Sequence, residues 1–241
     1  MPQFFNPRLY RFLSDEFSRR PLEDVRERDE IRHRLSELHT LVQRAPRSPL
    51  RALDLHPHWL PEYLTNKIDL SPIYVHHVSE IYVRYGKSKQ QIKSFKDELG
   101  DASVLPHVHI SFGLSSRSFF FTIVFNLWAF LDYRNALDIL REDGNSANAL
   151  MQGVRELGRA RYHLWGPDLN RDLSQFETPD DLRRALPLPE ALVHPEDKVG
   201  MGRDWAPEDP DIDEATIVQT SINEINRLWP VFNTVALRHP R

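Results

Sequence analysis

The sharpest pattern in the chain lies between residues 105 and 126. Val108, Ile110 and Phe112 alternate with His107, His109 and Ser111, the period-two signature of a strand with one buried face. Successive side chains point to opposite faces, so the two histidines and the serine share the face turned away from the apolar trio. Gly113-Leu-Ser-Ser116 supplies turn residues. Residues 119–125 then form a run of aromatic and β-branched types with Thr122 as the one polar interruption, and two such runs around a short turn predict an antiparallel hairpin. A third predicted strand, residues 73–85, lies upstream. One register of it places His76, Glu80, Tyr82 and Arg84 on one face and Val75, His77, Ser79, Ile81 and Val83 on the other. If the first set falls beside His107 and His109, the sheet carries a patch of imidazoles with one carboxylate and one guanidinium.

Outside this region the spacing turns helical. Asn6-Pro7 reads as an N-cap with proline at the first helical position. Ile31, Leu35, Leu38 and Val42 recur at three- and four-residue steps in the charged stretch 22–43, an amphipathic helix. Residues 55–72 hold three prolines and read as irregular. Helices are predicted from about 126 to 140 and from 147 to 161, the second ended by His163-Leu-Trp-Gly-Pro167. Residues 166–211 are rich in proline and acid, with one short helix capped at Thr178 and an edge strand within 191–201. A last helix carries the stripe Ile212, Ala215, Val218, Ile222, Ile225 and Trp229, with Pro230 as its stop. Helices at both ends and strands in the middle predict a single α+β domain over residues 1–241. Its small antiparallel sheet (strands near 73–85, 105–113 and 118–126) packs against the N- and C-terminal helices.

Composition narrows the chemistry. The chain has 241 residues, a formal charge of -4 and no cysteine. Thiolate nucleophiles, disulfides and cysteine-based metal sites are therefore excluded, and there is no global charge to draw the chain to nucleic acid or a membrane. No apolar stretch approaches the length of a membrane span and no apolar leader follows Met1, which leaves a bacterial-type cytoplasm as the expected compartment. Of six lysines, Lys87, Lys89, Lys93 and Lys96 fall in one ten-residue window behind Arg84.

Leu105-Pro106-His107 opening a strand, the aromatic run 119–125 behind it, and Lys87 and Lys89 upstream resemble the YktB-like family of uncharacterised bacterial proteins. Tyr162-His-Leu-Trp165, the helix at 182–188, Val199-Gly200 and the closing helix continue that order of features. The resemblance covers about two-thirds of the chain. It implies a compact α+β fold and brings no activity or cofactor.

Several chemistries fit the predicted sheet face. The Arg84–Lys96 cluster, with His76, His107, His109 and Glu80 beside it, could bind a phosphate-bearing ligand or a nucleic-acid backbone through Arg84, Lys87 and Lys89. His109-Ile-Ser111 resembles half the signature of the two-histidine phosphoesterases. His77-Val-Ser79 is the candidate second copy, so His109 and His77 would serve as acid and base while Ser111 and Ser79 hold the phosphate. His107 and His109 with His76 or Glu80 meet the geometry of a metal pair plus a third ligand. The plain alternatives are hydrogen-bonded histidines on a half-solvated face and a partner-binding module without a small-molecule site. No glycine-rich phosphate loop, dinucleotide fingerprint or nucleophile elbow is present.

Overall fold

The computed structural model describes residues 2–14, 25–58, 65–70, 75–95, 107–126, 130–142, 144–191 and 198–236, with the backbone alone for 25, 65–70, 75–79, 126 and 130. The fold is α+β. Its helices are α1 (Pro7–Phe12), α2 (Val25–Arg44), α3 (Pro49–Ala52), α4 (Lys89–Ser94), α5 (Phe130–Arg141), α6 (Asn145–Arg159), α7 (Pro179–Ala185) and α8 (Ile217–Val235). The strands are β1 (His56–His58), β2 (Thr65–Leu70), β3 (Val75–Gly86), β4 (His109–Ser115), β5 (Phe119–Asn126), β6 (His163–Gly166), β7 (Leu169–Asp172) and β8 (Lys198–Trp205).

All pairings among the eight strands are antiparallel, in the order β1-β3-β4-β5-β8-β6-β7, with β2 beside β1 on the outer edge of β3. The sheet is thus larger than the three-stranded one expected. Four of the added strands come from stretches that read as irregular. β1 and β2 fall within the proline-rich residues 55–72, and β6 and β7 form a tight hairpin just where α6 ends. Asp168 takes a left-handed backbone in that turn (φ 55), a conformation that Asp tolerates better than most residues. The fifth, β8, is no edge strand: it lies between β5 and β6, and its apolar Val199, Met201 and Trp205 are buried.

Alternation sorts the central strands cleanly. Ile81, Val83 and Tyr85 of β3, Ile110, Phe112 and Leu114 of β4, and Phe119, Phe121, Ile123 and Phe125 of β5 join one buried cluster with the helices. Phe112 sits 5.1 Å from Phe121 and 5.6 Å from Tyr85, ring centre to ring centre, so the aromatic rows interlock across strands. α2 supplies Ile31, Leu35, Leu38 and Val42 to this core, the stripe its spacing predicts. α8 packs on β4 and β5 and also on α6, where Gly153 permits the close approach: a Cβ there would stand 2.8 Å from Val231 Cγ2. Pro230 does not stop α8, which runs on to Val235. Val231, Phe232 and Val235 are all buried, and burial of three apolar side chains, at about 1.5–3 kcal/mol each, outweighs the roughly 3 kcal/mol cost of an internal proline. None of the described helices is long and apolar enough to cross a membrane.

The opposite face of the sheet is polar and is not part of that core. Gly113 sits on it beneath the backbone of β3: a Cβ at that position would lie 2.2 Å from the Ile81 carbonyl oxygen and 2.4 Å from Tyr82 Cβ. Gly113→Ala therefore has to push β3 and β4 apart, and a destabilisation of about 1–3 kcal/mol is expected. Urea titration measures it; an unchanged midpoint would contradict the close approach.

Candidate functional site

The polar face is built by one run of Cα partners. His58 of β1 opposes Arg84 of β3, which opposes Ser111 of β4, then Thr122 of β5, Gly202 of β8 and His163 of β6. Directly paired residues share a face, so this row crosses six strands on one side of the sheet. Tyr82, Gly113, Phe120 and Asp204 form the neighbouring row. Between β3 and β7 the face is concave, enclosing a cleft of ≈ 490 Å³.

Arg84, His109 and Ser111 form the deep floor of the cleft and are all buried. Arg84 leans along its own strand. Its guanidinium donates to Tyr82 Oη at 2.5 Å and lies 4.9 Å from the centre of that ring. Facing it across the ladder, Ser111 is 1% exposed, and its Oγ has no hydrogen-bond partner among the described residues. His109 presents a defined tautomer: Nδ1 stands 3.1 Å from the His107 carbonyl, which can only accept, so Nδ1 carries the proton and Nε2 the lone pair. Burial, with the Arg84 charge beside it, holds this imidazole well below its ordinary pKa; it is neutral at pH 7. His58 joins the same group, because Gly86 separates the two rings without a side chain. A Cβ there would lie 3.6 Å from His58 Nε2 and 3.8 Å from His109 Cβ. His58 donates from Nε2 to the Lys87 carbonyl at 3.1 Å, and burial pushes it down to about 4.

Carboxylates and a lysine surround the floor. Glu80 is half-buried and has no hydrogen bond or ion pair among the described residues; burial, reinforced by the Asp204 charge, raises its carboxyl although Lys198 pulls the other way. Asp204 stands exposed at the rim, where crowding by the surrounding protein raises it against His163 and Ser118. The Trp165 ring lies over the two glycines of β8. A Cβ at Gly200 would sit 2.4 Å from that ring, and the indole N–H donates to Thr122 Oγ1 at 3.1 Å.

Several expected residues lie elsewhere. His107 does not share the cleft with His109, since β4 begins only at His109. Its ring is buried against Lys87, whose ammonium donates to His107 Nδ1 at 2.9 Å and to both Asp132 oxygens at 2.8 and 3.0 Å. Lys87 is thus no solvated phosphate ligand; its side chain is 0% exposed. The connector that carries it is in part the helix α4, whose Ser88 and Gln91 form a capping box, and Lys89 is exposed at its start. Nor do His107 and His109 form a metal pair: among the described residues no three His, Asp or Glu side chains are placed to hold an ion. The side chains of His76, His77 and Ser79 lie outside the described residues, and so does the proposed second phosphoesterase half. A register shift between β2 and β3, where Thr65 pairs with Ile81 but Lys67 with Val78, breaks the alternation.

Glu80, Arg84, His109 and Ser111 therefore do come together. His58, Trp165, Lys198 and Asp204 were missed by sequence reasoning. A signal for β8 was present in Gly200-x-Gly202 alternating with Val199 and Met201, since paired strand glycines mark close approach of another group. No protein-family model matches the sequence, and no curated protein matches it significantly.

The Lys87–Asp132 pair gives a stability test. Burial alone would raise the Asp132 carboxyl, but the His107 ring and the Lys87 ammonium outweigh it and hold it below its ordinary value. A depressed carboxyl contributes stability above its unfolded pKa and loses it as pH falls through the folded one. Asp132→Asn should cost about 3–5 kcal/mol at pH 7 by stranding a buried ammonium. It should also flatten the loss of stability below about pH 4, the unfolded carboxyl value. Urea midpoints between pH 3 and 7 check both; equal slopes in the two proteins would refute the assignment.

Proposed function

We propose that the chain is a binding protein for a small phosphate-bearing ligand seated in the sheet cleft, with Arg84 and Ser111 as the principal anion contacts. The observation that carries this reading is the Ser111 hydroxyl, buried on the cleft floor opposite Arg84 and without a partner among the described residues. Leaving such a group unsatisfied costs about 1–3 kcal/mol, and a ligand oxygen would repay it. Arg84 is pre-positioned by Tyr82, and a held guanidinium presents the planar fork that suits phosphate oxygens. His109, neutral, adds hydrogen-bonding capacity without charge.

A small ligand is favoured over a nucleic-acid backbone. The cleft volume of ≈ 490 Å³ falls within the usual range for small-molecule pockets. The lysine window that suggested a backbone track is divided, with Lys87 spent on Asp132 inside the protein. The YktB-like resemblance brings no activity to weigh, so the reading rests on the cleft.

Inorganic phosphate provides the first test. At a concentration of 100 Kd a ligand adds about 2.7 kcal/mol to stability, so phosphate at a fixed ionic strength should raise Tm. Ser111→Ala removes that hydroxyl and should leave the free protein at least as stable as before while weakening phosphate roughly tenfold, a loss of about 1.4 kcal/mol. Arg84→Lys, which keeps the charge and loses the fork, should weaken it further. Calorimetric titration reads both; phosphate affinity unchanged in Ser111→Ala would exclude this site.

A further inference from the structure

The charges around the cleft are not those of a simple anion site. Arg84 and Lys198 face it as cations, and Glu80 and Asp204 face it as anions. His109 and His58 are neutral, so the two signs balance among the described residues. A bare anion would gain from the first pair and lose against the second. A ligand with charge of both signs gains at both ends.

The placement of the groups gives such a ligand its dimensions. Glu80 and Arg84 lie on the same strand four residues apart, about 13 Å between their Cα atoms at strand rise. Arg84 shortens that span by leaning over Tyr82 towards Glu80, and Asp204 stands in the Tyr82 row. Glu80 has no hydrogen bond or ion pair among the described residues, and burial raises the carboxyls of both Glu80 and Asp204. Lys198 opposes Asn126 at the far end of β8 from Asp204 and relieves Glu80 only in part. The cleft therefore offers the Arg84 guanidinium and a hydroxyl without a partner among the described residues at strand positions 84 and 111, and towards position 80 a carboxylate likewise without one.

Resting on the phosphate reading above, we infer that the ligand is a phosphorylated amine, its phosphate on Arg84 and Ser111 and its ammonium between Glu80 and Asp204. The ligand is short, a few bonds separating phosphorus from nitrogen.

Three probes of one size class separate this inference from the reading beneath it: inorganic phosphate, glycerol phosphate and O-phosphorylethanolamine, titrated calorimetrically at pH 7. Phosphorylethanolamine should bind at least tenfold more tightly than glycerol phosphate. Glu80→Gln and the double variant Glu80→Gln/Asp204→Asn should abolish that preference while leaving inorganic phosphate bound as well as before or better. Removing an unpaired carboxylate is expected to raise Tm, so loss of the preference will not reflect unfolding. Equal affinity for the two phosphate esters, or a preference that survives the double variant, overturns the inference and leaves the phosphate site standing. Failure of all three probes to bind overturns the phosphate reading and this inference with it.

Discussion

The antiparallel register that joins β3, β4, β5 and β8 is the constraint on which the remaining structure depends. Each strand alternates, and in each one set of alternate positions is apolar: Ile81 and Val83, Ile110 and Phe112, Phe119 and Phe121, Val199 and Met201. Sliding any one of them by a residue would turn its apolar set to the open face and drive its polar set under the helices. Taken to β4 alone, such a slip would exchange Ile110, Phe112 and Leu114 for His109, Ser111 and Ser115. At about 1.5–3 kcal/mol for each buried apolar side chain, that exceeds a large part of the 5–15 kcal/mol by which a domain is stable. The polar row from His58 to His163 is thus a consequence of core packing on the other side. No contact between its members has to hold it in line.

A second element fixes the floor of the cleft from below. Asp132 on α5 accepts from Lys87 just beyond β3 and from the Val108 amide just before β4, so one buried carboxylate ties the end of one strand to the start of the next. His107 belongs to that cluster through its ring and to the cleft through its carbonyl, which receives His109 Nδ1. The tautomer of His109, and hence the lone pair offered at Nε2, is set by a residue whose own side chain faces away from the site. In this way the buried ion pair, which looks purely structural, determines a chemical property of the cleft.

What the sequence disclosed follows from how local each signal was. The α+β class, the β4–β5 hairpin and the α2 stripe rest on patterns within short stretches, and all are present; that Glu80 and Arg84 fall on the side of His109 and Ser111 depends on strand pairing, which the sequence left open. β1, β2, β6 and β7 are three to six residues long and lie among prolines or beside a helix end, too short for alternation to announce itself. Their existence depends on partners far away in the chain, as does the insertion of β8 between β5 and β6. The misplacement of His107 has a different origin. Period two says only that His107 and His109 would share a face if the strand included both, and the strand starts one residue after Val108. The lysine window misled for a related reason: four like charges close in sequence imply a solvated track only if none of them has a buried partner, and Asp132 lies 45 residues from Lys87.

Buried polar atoms without a hydrogen-bond partner among the described residues occur outside the cleft as well as in it, His107 Nε2, Trp205 Nε1 and Ser221 Oγ among them. The main buried charges under the helices are nevertheless paired. Lys87, Asp132 and the Val108 amide complete one another, and the buried Glu224 accepts from Tyr162 and Arg227. In the cleft the Ser111 hydroxyl and the Glu80 carboxylate have no hydrogen-bond partner among the described residues, and the His109 imidazole is kept neutral by burial. The chain has the means to satisfy such groups, since it does so within the same fold. What sets the cleft apart is convergence: Ser111 Oγ and the Glu80 carboxylate lie on one concave face with Arg84, Lys198 and Asp204, so groups of both signs and an open hydroxyl line a single cavity.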